Sequence, residues 1–133
     1  MSRILVIGGS GQIGSDLKYS KVERNNKFIF PSSKELDIRR KKSISDFLEN
    51  NKVDLVLNLA AYTNVDKAEV EKKRANDINN KGALNLSIET FKRDIGLIHF
   101  STDYVFGKNN IKTNHYYKKV SPVNYYGYTK SEG

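Results

Sequence analysis

Tyr126 and Lys130 stand four positions apart near the end of the sequence, a spacing that places both on one face of a helix. A phenol with an ordinary pKa of about 10 is a poor acid–base group at neutral pH. A neighbouring ammonium favours the phenolate and lowers that pKa. The pair therefore suits proton exchange with a carbonyl oxygen while hydride arrives from a nicotinamide. A hydroxyl that binds and orients the same oxygen completes such a group. Ser101 and Thr102 supply one just after an apolar run that reads as a strand, where the carboxyl ends of parallel strands gather ligands. Tyr-x-x-x-Lys alone is a weak signal in a chain with eight tyrosines and 17 lysines. Its weight comes from what accompanies it.

The strongest companion is Gly8-Gly9-Ser10-Gly11-Gln12-Ile13-Gly14, with glycines at 8, 11 and 14 between a first strand and a first helix. Glycine permits the tight turn and the close approach of backbone to a pyrophosphate. The helix start then offers free N–H groups and the positive end of its dipole to the anion. About twenty residues beyond such a loop an acidic residue usually holds the adenosine ribose. Here the second strand ends in Phe30-Pro31-Ser32-Ser33-Lys34, with no carboxylate before Glu35. Ser32, Ser33 and Lys34 are placed to hold a 2′-phosphate, so the cofactor expected is NADPH, with NADH as the alternative. Asp37 reads either as an adenine contact or as a helix cap.

These residues need elements to position them. Arg3 to Ile7 is a short apolar run that reads as a buried parallel strand, followed by a helix from Gly14 to about Val22. Further strands are expected at Lys27 to Phe30, Val53 to Leu59 and Leu97 to Phe100. A second helix carries Ile44, Phe47 and Leu48 as far as Asn50, and a long one runs from about Lys73 to Lys92 with Ala75, Ile78, Gly82 and Leu86 along one face. Asn109 to Pro122 reads as an irregular polar and aromatic loop, and a last helix opens at Tyr125. Alternation of this kind predicts an α/β fold, a doubly wound parallel sheet of the Rossmann type. Residues 1–133 form one NAD(P)-binding domain. It is expected to be truncated, because the chain stops inside the helix of Tyr126 and Lys130 without a substrate domain.

Composition limits the alternatives. A hydrophobic fraction of 38% in clusters supports one modest core. With no cysteine, disulfides and thiolate metal sites are excluded, and a cytoplasmic location is expected. No apolar run is long enough for a membrane helix. The net charge of +8 is spread along the chain, without a nucleic-acid-binding motif, and suits attraction of anionic cofactors and substrates. The run Arg39-Arg40-Lys41-Lys42 reads as an exposed helix start. No metal site is expected: His99 lies in a strand without metal-ligand spacing and reads as packing.

The chain resembles the extended short-chain dehydrogenase/reductase family, and within it the nucleotide-sugar reductases. The matching segments are the glycine loop, Leu36-Asp37-Ile38, Asn58 to Glu69, Asn79 with Gly82 and Asn85-Leu86, Ser101 to Phe106, and Pro122 to Lys130. The resemblance implies that Gly11, Gln12 and Ile13 meet the pyrophosphate and that Asp37 and Ile38 contact the adenine end. Ala60, Ala61 and Thr63 would line the cofactor's middle, with Phe100 nearby. Thr102 and Asp103 would touch the sugar, Tyr126 would donate the proton, and Lys130 would bind the nicotinamide ribose. The implied reaction is reduction of the 4-keto group of a dTDP-linked 6-deoxyhexulose, serving cell-envelope polysaccharide. The partner is a nucleotide-sugar substrate, and a homodimer is admissible for the full-length protein. Two alternatives stand beside it. Related dehydratases and epimerases share the fold, but the dehydratases place Asp-Glu after the threonine, whereas Thr102-Asp103 is followed here by Tyr104. A non-catalytic NADP-binding module, such as the regulatory subunit of methionine adenosyltransferase, resembles the same branch. One departure from the family is Gly107-Lys108 where aspartate–glycine is common.

Overall fold

The computed structural model describes residues 1–20, 26–107 and 120–133. Its four strands are β1 (Ser2–Ile7), β2 (Asn26–Ile29), β3 (Leu55–Asn58) and β4 (Gly96–His99). All pair in parallel, in the order β2-β1-β3-β4. The chain moves from β1 to β2 on one side, then crosses back to β3 on the other. That reversal creates a crevice beyond the carboxyl ends of β1 and β3, where open α/β sheets bind ligands.

The helices are α1 (Gln12–Tyr19), α2 (Lys41–Asn50), α3 (Val65–Ala68), α4 (Lys72–Asn76), α5 (Gly82–Phe91) and α6 (Tyr125–Glu132). Leu5 and Ile7 of β1 and Val56 of β3 point to one face of the sheet. There they meet Ile44 and Leu48 of α2, Leu86 of α5, and Leu36 and Ile38 from the connection before α2. Val6, on the alternate side of β1, is also fully buried, so the central strand is covered on both faces. Burial of each such side chain contributes about 1.5–3 kcal/mol.

A charged network joins α5 to α2. Glu89 is 2% exposed. Burial pushes its carboxyl up, but Arg93 and Lys92 outweigh that and hold it below the usual glutamate value. Arg93 also donates to Ser45 and Glu49 of α2. The basic run from Arg39 is the exposed start expected, with Arg40 as the N-cap of α2.

The strands and main helices fall where the residue pattern places them, with ends shifted by one or two positions, as fraying ends are. Phe30 and Phe100 lie just past their strands. The long helix is interrupted: α4 and α5 are joined by a π turn, Asp77–Lys81. A simple 3.6-residue period carries no signal for such a turn. The first helix ends at Tyr19, where Ser20 turns to extended backbone, before the expected Val22, which itself lies outside the described residues, as does the loop from Asn109 to Lys119. Among the described residues, no helix is long and apolar enough to cross a membrane.

Candidate functional site

The glycine loop is shaped by close packing. Gly8 has φ +84, and a Cβ there would lie 2.6 Å from the Ala60 nitrogen and 2.8 Å from the Leu59 carbonyl carbon. A Cβ at Gly14 would stand 2.5 Å from the Gly8 oxygen and 2.6 Å from the Gly9 Cα. The loop is thus pressed between the start of α1 and the chain leaving β3. Gly11 caps α1 with no side-chain hydrogen bond, so the helix start is free to receive an anion. Gln12 and Ile13 form that exposed first turn, while Gly14 is buried.

Beside the loop opens a cavity of about 870 Å³ lined by Gly8, Ser10, Gly11, Ser33, Asp37, Ile38, Ala60 and Ala61. That volume suits a cofactor, and the glycine cradle leaves backbone rather than side chain facing it. Lys18, Arg39 and Arg74 also line the cavity. Their positions followed from no local motif, because they reach it from three separate elements. Gln12, Ile13, Gly14, Lys34, Thr63 and Phe100 are not among the lining residues.

The expected Ser32–Ser33–Lys34 cluster is rearranged. The Ser32 N–H and hydroxyl both donate to Glu35 Oε2 at 2.8 Å, and the Ser32 N–H bond is the main reason that carboxyl is held below its usual value. Ser32, Ser33 and Glu35 all stay on the wall, joined by Arg39, with Lys34 outside it. Asp37 does not cap α2. Its carboxylate accepts from Arg39 through the backbone N–H, Nε and Nη2 at 3.0, 2.9 and 2.8 Å. The side-chain bonds from Arg39 hold the Asp37 carboxyl below its ordinary range.

The helical run from α4 to α5 fastens the cavity to α6. Asn79, in the π turn, is 1% exposed. Its Oδ1 accepts from the Tyr62 N–H at 2.8 Å, and its Nδ2 donates to the Tyr62 carbonyl and to Thr129 Oγ1, both at 3.0 Å. Thr129 in turn donates to the Tyr126 carbonyl. Gly82 makes room for the Ile38 side chain, and Asn85 donates to the Ile38 carbonyl at 3.0 Å. Asn79, Gly82 and Asn85 recur every three residues on the inward side of the helix, a polar spacing that marks them as structural ties. Asn79→Leu orphans the buried N–H and carbonyl of Tyr62, at about 1–3 kcal/mol per group. The expected result is a loss of about 2–4 kcal/mol in urea-induced unfolding. A loss under about 0.5 kcal/mol would show that these bonds do not hold the loop.

Helix α6 lies on the turn that follows β4. Asn124 caps it, accepting from the Gly127 N–H at 2.7 Å. Glu69 accepts from the Tyr125 N–H at 2.8 Å, so it is more than part of a solvated helix start. Any Cβ at Gly127 would collide with the Tyr104 carbonyl. The Tyr126 ring meets Tyr104 edge-on with centroids 5.8 Å apart and packs against the cluster of Tyr62, Ala68 and Ala75. Thr102 opens the turn that holds Tyr104: its hydroxyl donates to Asp103 at 3.2 Å and accepts from the Tyr104 N–H at 3.4 Å. Thr102, Asp103 and Tyr126 are therefore joined through one turn.

Lys130 is 5% exposed, and burial pushes its ammonium below the usual lysine pKa. Nζ donates to the Phe100 carbonyl, so that residue contributes its backbone, while its side chain is 47% exposed. Nζ also lies 3.4 Å from His99 Nε2. His99 Nδ1 is 3.0 Å from Asn58 Nδ2, and Asn58 Oδ1 accepts from the Ala60 N–H at 3.2 Å. His99 thus does more than pack. It completes a polar line from the cavity wall at Ala60 to Lys130.

Residues 1–133 match the family described as the RmlD substrate binding domain. The chain belongs to that family. It is 39% identical over 132 residues to the dTDP-4-dehydrorhamnose reductase of Mycolicibacterium smegmatis, covering 98% of this chain and 40% of that protein. It is 32% identical over 136 residues to the reductase of the same name from Aggregatibacter actinomycetemcomitans, covering 100% of this chain and 46% of that protein. A crystal structure of dTDP-4-dehydrorhamnose reductase from Bacillus anthracis in complex with NADP superposes with a TM-score of 0.92 at 28% identity, covering 99% of this chain and 48% of that one. The Clostridium acetobutylicum reductase superposes with a TM-score of 0.91 at 32% identity, covering 98% and 46%. The chain spans less than half the length of these relatives. The shared fold supports the α/β reading, and the RmlD match carries the resemblance seen in the motifs across the whole sequence.

Proposed function

We propose that the complete polypeptide bearing this RmlD-family chain is a short-chain dehydrogenase/reductase that reduces the 4-keto group of dTDP-4-dehydro-L-rhamnose with NADPH, giving dTDP-L-rhamnose. Residues 1–133 are its NAD(P)-binding domain. The observation that carries this reading is the polar line from Ala60 through Asn58 and His99 to Lys130, which ties the cavity to the helix bearing Tyr126. The names of the relatives support the substrate and the NADP complex supports the cofactor.

In this reading Gly11, Gln12 and Ile13 at the open start of α1 bind the pyrophosphate, and Gly8, Ser10 and Gly14 shape the approach. Asp37 and Ile38 line the adenine end. Ser33, with Arg39 and Lys18, receives the 2′-phosphate, and Lys34 stands outside this group. Ala60, Ala61 and Thr63 border the middle of the dinucleotide and Phe100 its nicotinamide end. When bound, the reduced nicotinamide supplies the hydride. Thr102 orients the ketone oxygen, Asp103 holds a sugar hydroxyl, Tyr126 donates the proton, and Lys130 binds the ribose and supports the tyrosine. Tyr104, at the position of a dehydratase's glutamate, leaves no second carboxylate for loss of water.

The test is NADPH oxidation by the complete polypeptide with dTDP-4-dehydro-L-rhamnose, beside UDP- and GDP-linked analogues. Turnover confined to the dTDP sugar is expected. Tight NADPH binding with no ketone-dependent oxidation would instead identify a non-catalytic cofactor-binding module.

A further inference from the structure

The contact between His99 and Lys130 poses a donor problem. The Ala60 N–H can only donate, so the Asn58 oxygen must face it. That orientation sets the Asn58 NH2 toward His99 Nδ1, 3.0 Å away, and makes Nδ1 the acceptor. A neutral imidazole with an accepting Nδ1 carries its proton on Nε2. Nε2 is the atom that faces Lys130 Nζ, at 3.4 Å. An ammonium is also donor-only, so two donors would point at each other. The contact becomes a hydrogen bond when Nζ is the neutral amine, accepting from Nε2–H while one of its own N–H groups donates to the Phe100 carbonyl.

We propose that His99 is a positioning residue for Lys130: with its tautomer fixed by Asn58, it biases the lysine toward the neutral amine, which takes up a proton when an anionic dinucleotide binds. The inference rests on the cofactor reading above. Its surroundings support it. Burial is the first cause that holds the His99 imidazole below its usual pKa, which keeps the ring neutral. β3 contributes the uncharged Asn58, and α6 carries Tyr126 one turn before Lys130. Asp103 is on the turn after β4, and its carboxylate accepts from Thr102. In the π turn Asp77 is paired with Lys73 and Lys81, and on α5 Glu89 is engaged by Lys92 and Arg93. Neither of these carboxylates is free to neutralise an ammonium at Lys130.

The sign follows from linkage. Binding favours the protonated lysine, so NADPH affinity is flat below the pKa of Lys130 in the free protein. Above it, affinity falls by as much as about tenfold per pH unit. The experiment measures NADPH dissociation constants against pH for the complete polypeptide, with proton uptake read by calorimetry in two buffers of different ionisation heat. Asn58→Asp keeps an oxygen for the Ala60 N–H but must accept from Nδ1. It reverses the tautomer and turns Nε2 into an acceptor for the ammonium. The break in affinity is expected to move up by at least about one pH unit, and proton uptake measured just above the unaltered protein's break to vanish. His99→Gln, in which the terminal amide is free to turn its oxygen toward Nζ, is expected to move the break the same way and guards against misfolding of the first variant. Because the carboxylate of Asn58→Asp favours the ammonium by its charge alone, an unmoved or lowered break in the uncharged His99→Gln overturns the inference. Absence of NADPH binding in the unaltered protein would overturn the cofactor reading instead.

Discussion

Gly8→Ala is expected to unfold the protein or leave it without measurable affinity for NADPH. Two costs combine. At φ +84 an L-residue is in the left-handed region, at about 1–2 kcal/mol. The new methyl also meets the Ala60 nitrogen, Ala60 Cα and Leu59 carbonyl carbon, all within 3 Å. These are backbone atoms of the neighbouring strand's exit and cannot rotate away, so overpacking adds about 1–3 kcal/mol. Against a total stability of about 5–15 kcal/mol, the sum is a large share. What survives has its cavity wall displaced. Gly11→Ala is the control for stability alone, because its Cβ would meet only the Gly8 oxygen, at 3.3 Å, while the residue itself belongs to the proposed pyrophosphate site. Urea unfolding of both variants, with an NADPH titration of Gly8→Ala, separates the outcomes. Equal stability of Gly8→Ala and the unaltered protein would show that the loop is not held by β3 as described.

Tyr126→Phe in the complete polypeptide is expected to lower kcat for ketone reduction by about 10²–10⁴-fold, the usual reach of a positioned proton donor. NADPH affinity should change by less than about threefold, equivalent to under about 1 kcal/mol. The ring that remains still meets Tyr104 edge-on and still packs on the cluster of Tyr62, Ala68 and Ala75. The substitution therefore removes one hydroxyl and little else. Single-turnover NADPH oxidation at saturating sugar reads the chemical step. A rate within about threefold of the unaltered protein would assign the proton to another group.

The fold was legible because its signals are local. Arg3 to Ile7 reads as a strand from its own residues, and Gly8 to Gly14 reads as a phosphate turn because strand and helix flank it. The site was legible where it follows such a motif: Gly11, Ser33, Asp37 and Ala60 all line the cavity. What escaped depends on contacts between distant segments. Ser32 and Lys34 read as anion ligands from their place in sequence; Ser32 does stand on the cavity wall, with its hydroxyl taken by Glu35, while Lys34 is not among the lining residues. Arg39 and Lys18 reach the cavity from other elements. His99 looked apolar in role because a strand pattern records which face a residue takes, not the Asn58 and Lys130 that meet it there. Asn79 matched a family segment without a visible task. Its partners are 17 and 50 residues away.

The π turn at Asp77–Lys81 also bears on how such a chain changes length. Each π turn spends one residue more than an α turn to cover the same span of helix. Deleting one residue from it leaves an unbroken α-helix, with Ala75 before it and Leu86 after it still facing the core. The deletion would fall on the residues of the turn itself: Ile78, which packs against both hydrophobic clusters, and the inward amide of Asn79 that joins Tyr62 to Thr129. A change of length in this stretch would therefore act on the alignment of the two halves of the site as well as on the packing of Ile78.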